Sequence, residues 1–435
     1  PLPRPPTPRT HDAGDCLELP MSALPIAIAV PTQTTTTPTP ARWPPAIWAL
    51  LLTTFVVRAG GFVYPFLSYR LDGLHLTSSV ASIVLAVFGA GWLMGQMLCG
   101  WLADRIGRRA TLAGAMLLAA TSFPVLAQVH TTVALIAATA VSGAVYDAPR
   151  PVITAVVADV IPDDAGRAKA NGWRHFATNV GAATTGAVGG ALAGRTGIPL
   201  LFWANGVVCA VTAVLVLCVL PRTTPMAVTE RGRYREAVTD PRLWLLWLAS
   251  LLTLIPVGAL FSALPLMMAS DGLNAAAYGW TQVTSALAVL ALSPLLNPLL
   301  ARRAARPHAM VRPLALSGLV LGAGIGSAGL ASTTLGYSAA AGLAVPGEIV
   351  AFVAAGDIVN RISPSHARAT YAGIWGTTLA AAIMCAPALA GWSLTHGGSE
   401  LAALTTLSCG FLGAAACLPL HRLLRHPRGP KAELS

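Results

Sequence analysis

The sequence predicts an all-α integral membrane protein of twelve spanning helices in two pseudo-symmetric six-helix bundles, and three observations carry that expectation. Hydrophobic residues make up 55% of the chain and charged ones only 10%, with a mean hydropathy of +0.66, whereas soluble domains carry roughly a quarter charged residues. Apolar runs recur at about the 20-residue length that crosses about 30 Å of hydrocarbon. Arg and Lys gather in alternate connections, so the net charge of +11 reflects membrane orientation and does not point to nucleic acid.

Residues 1–42 are rich in Pro and Thr, bury too little apolar surface to order themselves, and are expected to form a disordered tail. The first bundle, 43–220, holds spans expected at 44–70, 77–103, 109–128, 132–161, 167–196 and 198–220. A polar, basic cytoplasmic loop at 221–240, with Arg231, Arg233 and Arg235, divides the chain into six spans plus six. The second bundle, 241–421, holds spans at 241–268, 275–300, 309–331, 334–361, 366–394 and 398–420, followed by a short tail at 422–435. With the N-terminus placed in the cytoplasm, 24 of the 28 basic residues fall on that side, Arg70 and Arg195 on the other, and Arg58 and Arg150 within spans. The asymmetry predicts a multi-pass plasma-membrane protein with both termini cytoplasmic. Six of the seven cysteines (Cys99, Cys209, Cys218, Cys385, Cys409, Cys417) lie within apolar spans without paired spacing, which argues against a disulfide framework or a metal site.

Between spans 2 and 3 stands Gly100-Trp-Leu-Ala-Asp104-Arg105-Ile-Gly107-Arg108-Arg109. Gly100 permits close helix packing, Gly107 a tight turn, and Asp104 with the arginines a charge lock at the membrane surface. This run resembles the loop signature of the major facilitator superfamily, and the resemblance implies a lock that holds the two halves together on one side and breaks during the transport cycle. Span 4 continues through Tyr146-Asp147-Ala-Pro149-Arg150 to Asp159, with Arg167 after it, and span 5 is rich in glycine (Gly181, Gly186, Gly189, Gly190). That pattern is similar to the proton-coupled drug efflux branch, except that Thr185-Gly186 replaces its Gly-Pro pair, which leaves the direction of transport open. Gly347-Glu348 and Arg368-x-x-Tyr371-x-Gly373 are similar to one efflux-like group, and Arg302-Arg303-x-x-Arg306 is a weak copy of the Asp104 loop, as a parallel repeat predicts.

A charge at the bilayer centre costs roughly 2.5–3.5 kcal/mol, so such residues face a cavity or a partner. Arg58 lies near the middle of span 1, Asp147 and Arg150 of span 4, and Glu348 of span 10. In the family fold that the resemblance implies, helices 1, 4, 7 and 10 line the central cavity, which agrees with this placement. Asp147 and Arg150 are three residues apart and either pair with each other or serve coupling. Glu348 is the preferred proton carrier and Asp147 the second, unless Glu348 bridges Arg58 permanently. Asp159 and Asp357 belong with the gate at the span ends. Tyr64, Tyr146, Gln96, Asn179, Gln282 and Trp375 are candidate cavity residues. Gly60, Gly61, Pro65, Pro256, Pro265, Pro294 and Pro387 fit helices that bend.

These residues imply a secondary transporter and not an enzyme, with export of small amphipathic molecules such as drugs or secondary metabolites favoured over proton-coupled uptake of a metabolite. No nucleophile with a base and no metal-ligand spacing points to catalysis. The expected partners are a small-molecule substrate, protons and the lipid bilayer, with no nucleic acid and no cofactor, and the chain is expected to act as a monomer.

Overall fold

A computed structural model describes residues 43–161, 164–220, 231–304, 306, 309–364 and 367–425. The expected tail at 1–42 lies outside the described residues, as does 426–435 of the tail expected at 422–435, whose first four residues instead continue the last helix to Arg425. Among the described residues, nine helical stretches are long and apolar enough to cross a membrane, and one of them, Thr370–Arg425, turns back at Gly397–Gly398 and supplies spans 11 and 12. Spans 4 and 5 complete the twelve. Span 4 is split around Asp147 into helices of 14 and 11 residues, each short of a full crossing, and span 5 is the less apolar because it carries Arg167, Lys169, Arg174 and His175. The central loop is not wholly irregular: Arg231–Thr239 forms a helix.

Three spans are broken in mid-course. Span 1 runs as Pro45–Ala59 and Val63–Asp72, span 4 as Thr132–Val145 and Arg150–Val160, and span 7 as Pro241–Ala259 and Ala263–Ser270. Gly60 and Gly61 sit in the first break, as expected of residues that hold helices weakly. Pro387 and Pro294, by contrast, are absorbed inside continuous helices. Large apolar side chains exposed on spans 3, 6, 9 and 12, such as Leu117, Val207, Leu316 and Phe411, give those helices a lipid-facing side.

The two halves meet along two seams, span 2 (Ser78–Ile106) against span 11 and span 5 (Asp164–Thr196) against span 8 (Ala275–Ala304). Both seams are tight on the face away from the chain ends. A methyl group added at Gly89 would lie 2.5 Å from the Met384 backbone, and one at Gly186 would lie 2.7 Å from the Gly279 carbonyl. Nearer the face that carries both ends of the described chain, here the termini face, a methyl group at Gly100, Gly172, Gly373 or Gly376 would touch nothing within 4 Å. The halves are therefore sealed on the far face and parted on the termini face. Gly100 does not pack closely in this state, contrary to the role its sequence suggests.

Candidate functional site

The breaks in spans 1 and 4 face each other and bring the mid-membrane charges of the first half together. Tyr146 leaves the helix in an extended conformation, Asp147 adopts the left-handed region at φ 49°, and Pro149 precedes the new helix. Asp tolerates that conformation better than most residues, and proline tolerates a helix start. The break also changes how Asp147 and Arg150 relate, since they do not share one helix face as an unbroken span would require. Asp147 instead accepts a hydrogen bond from Arg58 of span 1 at 3.3 Å, with Arg150 at 3.8 Å on the same carboxylate oxygen. Arg58 also donates to the Tyr146 hydroxyl at 3.4 Å.

Neighbouring helices hold this cluster in place. Gly181 lets span 5 approach the Arg58 side chain, and the Thr185 hydroxyl donates to the Arg58 carbonyl. The Val63 amide, freed by the break in span 1, is taken by the Asn205 side-chain oxygen at 3.1 Å. Behind the ion pair, a cavity of about 30 Å³ is lined by Gly61, Met116, Phe123, Asp147, Asn205 and Cys209. That is room for a water molecule beside polar groups.

Above the charges lies an aromatic plug. Tyr64 packs on Phe88, Trp92, Tyr146 and Phe261 at ring-centroid distances of 5.0, 5.8, 5.6 and 5.2 Å, joining spans 1, 2 and 4 to span 7. Farther out, Tyr278 contacts Phe66 and Tyr69, and the Tyr69 hydroxyl donates to the Leu273 carbonyl across the halves. Tyr64 and Tyr146 thus belong to the far-face seal, where offset aromatic contacts hold the halves together. On the far face, Arg70 is also buried, and it donates to the Ala127 and Val129 carbonyls at the end of span 3 (Arg108–Gln128), a helix terminus that favours a cation.

The remaining candidates separate. Glu348 is partly buried in span 10 (Thr334–Ile362) and makes no hydrogen bond or ion pair among the described residues, so the bridge to Arg58 is not formed here. Asn179 bonds to His175, Trp375 donates to Ser250 at 3.1 Å, and Gln282 lies buried in the seam of spans 5 and 8. Gln96 is partly buried on span 2. In the signature loop, Gly107 takes φ 87° as its turn requires, Arg105 stacks over Trp101 at 4.1 Å, and Arg109 donates to the Leu217 carbonyl. Arg108 and Arg167 hold contacts of their own. The side chains of Asp104 and Asp159 lie outside the described residues. Asp357 pairs with Arg361 at 2.6 Å at the end of span 10.

Two features escaped the sequence reading. Arg174, which the charge count put with the cytoplasmic side although it falls within the expected span 167–196, lies ten residues inside span 5, two turns below Gly181 on the same face. Its signal was a basic residue after a helix start that no motif marked. The other is Asp240, which caps span 7, binds the Arg242 guanidinium at 2.8–3.2 Å and accepts from the Tyr371 hydroxyl at 2.9 Å. Burial works against the Asp240 charge, but the bonds from Arg242 and Tyr371 outweigh it and hold the carboxyl below the usual carboxylate range. A depressed value stabilises the fold above the unfolded pKa of about 3.9, and the gain is lost as pH falls through the lower folded value. Asp240→Asn is expected to cost about 1.5–3 kcal/mol at pH 7. Thermal unfolding in detergent checks this, and the gap from wild type should close on acidification below about pH 4.

A model of the Major Facilitator Superfamily matches residues 49–345. Among solved structures, the chain is similar to a POT family transporter in complex with 5-aminolevulinic acid, with a TM-score of 0.72 and 15% identity over 88% of this chain and 96% of that one. It is also similar to a peptide transporter POT mutant in complex with alafosfalin (TM-score 0.69, 16% identity, 88% and 96% covered). A POT family transporter in complex with a thioalcohol-conjugated peptide gives a TM-score of 0.71 at 14% identity, with 87% and 95% covered. At these identities the likeness is one of fold. Comparison with curated proteins returns no match.

Proposed function

The chain belongs to the Major Facilitator Superfamily, and from that premise we propose that it couples proton entry to the uptake of a small metabolite by alternating access. As a member of that family it is a multi-pass secondary transporter and not an enzyme. The termini face is assigned to the cytoplasm, because nearly all the basic residues of the connections lie there. With the far-face plug closed and the termini face parted, the structure then corresponds to the inward-open state.

Glu348 carries the coupling part of this reading. It is an acid at mid-depth with no ion pair among the described residues, so it can exchange a proton without first breaking a bridge, which Asp147 cannot. Two points support uptake over the export that the sequence motifs favour. Thr185 and Gly186 stand where efflux members carry Gly-Pro, and they are occupied in packing on Arg58 and Gly279. The solved transporters of this fold include POT family proteins in complex with 5-aminolevulinic acid and with a thioalcohol-conjugated peptide.

Purified protein in liposomes with a pH-sensitive dye in the lumen tests the direction. A panel of amino acids, short peptides and organic acids is presented outside. Uptake with protons acidifies the lumen as substrate enters. Alkalinisation on substrate entry would show exchange and restore the export reading.

A further inference from the structure

We infer that the aromatic plug is also the site where substrate loads from the far face, with the Tyr64 hydroxyl and the Trp92 indole N–H donating to an acceptor oxygen on a molecule with a flat apolar body. This rests on the transporter reading above and names its substrate class. Tyr64 and Trp92 are only 2% and 3% exposed, yet the hydroxyl of one and the indole N–H of the other have no hydrogen-bond partner among the described residues and are closed to water. A buried Tyr or Trp ordinarily places that atom on a partner, because an unpaired one forfeits the bond that water gave it. Two unpaired donors on rings 5.8 Å apart therefore have their use in another state of the carrier.

Their position suits that use. Trp92 stands fourteen residues from either end of span 2 (Ser78–Ile106), at mid-depth, where transporter binding sites lie. Tyr64 begins the second part of span 1, just past the break at Gly60 and Gly61. Phe88 lies one turn from Trp92 and stacks on Tyr64, while Tyr146 of span 4 meets Phe88 and Trp92 at 5.3 Å each. These four rings belong to the first half and stay together whichever face is open. The fifth ring on Tyr64, Phe261, belongs to the second half and departs with it when the far face opens. That movement leaves Tyr64 bare on one side, with Trp92 edge-on beside it.

The chemistry of the uncovered wall then selects its ligand. A carbonyl or carboxylate oxygen has a lone pair for each donor, and an apolar ring attached to it finds the aromatic faces of Phe88 and Tyr146. Aromatic faces also attract cations, but the indole N–H cannot accept a bond, and Arg58 already holds the Tyr146 hydroxyl from the same cluster. The wall therefore favours an acceptor over a cation. When Phe261 returns, the donors are buried without a partner and the space is filled by rings, so the site is tight while the far face is open and absent once it is shut. Substrate is thereby released toward the termini face.

Calorimetry on the detergent-purified full chain tests the site with phenylacetate and phenylacetamide, which carry an acceptor oxygen beside a ring, and with phenethylammonium, which offers a ring and a cation but no acceptor. At least one acceptor probe is expected to bind saturably and more tightly than phenethylammonium. Tyr64→Phe, which removes one donor and keeps the ring, should weaken that probe about three- to tenfold, and Trp92→Phe should weaken it as well. Tyr64→Phe should also unfold at or above the wild-type temperature, since it removes an unpaired polar atom, whereas loss of a hydroxyl that served the fold would lower it. Binding of neither acceptor probe, tighter binding of the cation, unchanged affinity in Tyr64→Phe or a lowered unfolding temperature in that variant overturns the site. Flux of another member of the liposome panel alongside any of those results leaves the transporter standing. Acceptor binding as expected, without protein-dependent flux of the bound probe into liposomes, overturns the transport reading alone.

Discussion

Glu348→Gln is expected to reduce proton-driven accumulation at least tenfold while leaving substrate exchange between the two sides of a liposome near the wild-type rate. The substitution keeps the size and hydrogen-bonding reach of the side chain and removes only its capacity to carry a proton. Because Glu348 holds no ion pair among the described residues, its loss strands no buried charge, and stability should change by less than about 1 kcal/mol. Asp147→Asn is the contrasting variant. It tolerates the same left-handed backbone but withdraws the carboxylate that Arg58 and Arg150 share, so folding and both modes of transport should suffer together. Accumulation that survives Glu348→Gln with its proton dependence intact would take the coupling role from this residue and pass it to Asp147.

How much of this was legible follows from what each feature depends on. The spans could be read because bilayer thickness imposes a length on every apolar run, and even the turn at Gly397–Gly398 inside one long helix fell between two expected spans. The break in span 4 was not foreseen, because the left-handed Asp147 and its turn toward Arg58 go with span 1 being broken at the same depth. Such pairing across 89 residues has no local signature. Arg174 was overlooked for a related reason: it fell within the expected span 167–196, yet its polar surroundings led the charge count to put it at the membrane surface, and only the fold, with span 5 beginning at Asp164, sets it ten residues inside. Tyr64 was identified as a candidate, yet its place in the seal came from Phe261, a residue of the other half.

Gly373→Leu is expected to hold the carrier open on the termini face, and Gly89→Leu to drive it the opposite way. Along the seam of spans 2 and 11 the partners run in opposite order, with Ser82 against Gly391 and Gly89 against Met384. Continuing that register toward the termini face brings Gly100 opposite Gly373, although both touch nothing there now. The signature glycine is therefore needed in the alternate state, when the termini face closes and two backbones must approach without side chains between them. At Gly373 the position of a first side-chain carbon is open in the present state, and a leucine there obstructs the other. One at Gly89 would collide with the Met384 backbone here and be relieved when the far face opens. Overpacking of this kind costs about 1–3 kcal/mol, a shift of roughly five- to 150-fold in the ratio of the two states. Single-cysteine reporters on each face, labelled from either side in a cysteine-free background, read that ratio. A disulfide between Gly100→Cys and Gly373→Cys should form in the Gly89→Leu background and fail in its absence, because the bond needs Cα atoms within about 7 Å. Equal cross-linking in both backgrounds would mean that the seam does not continue in register and that Gly100 serves the loop alone.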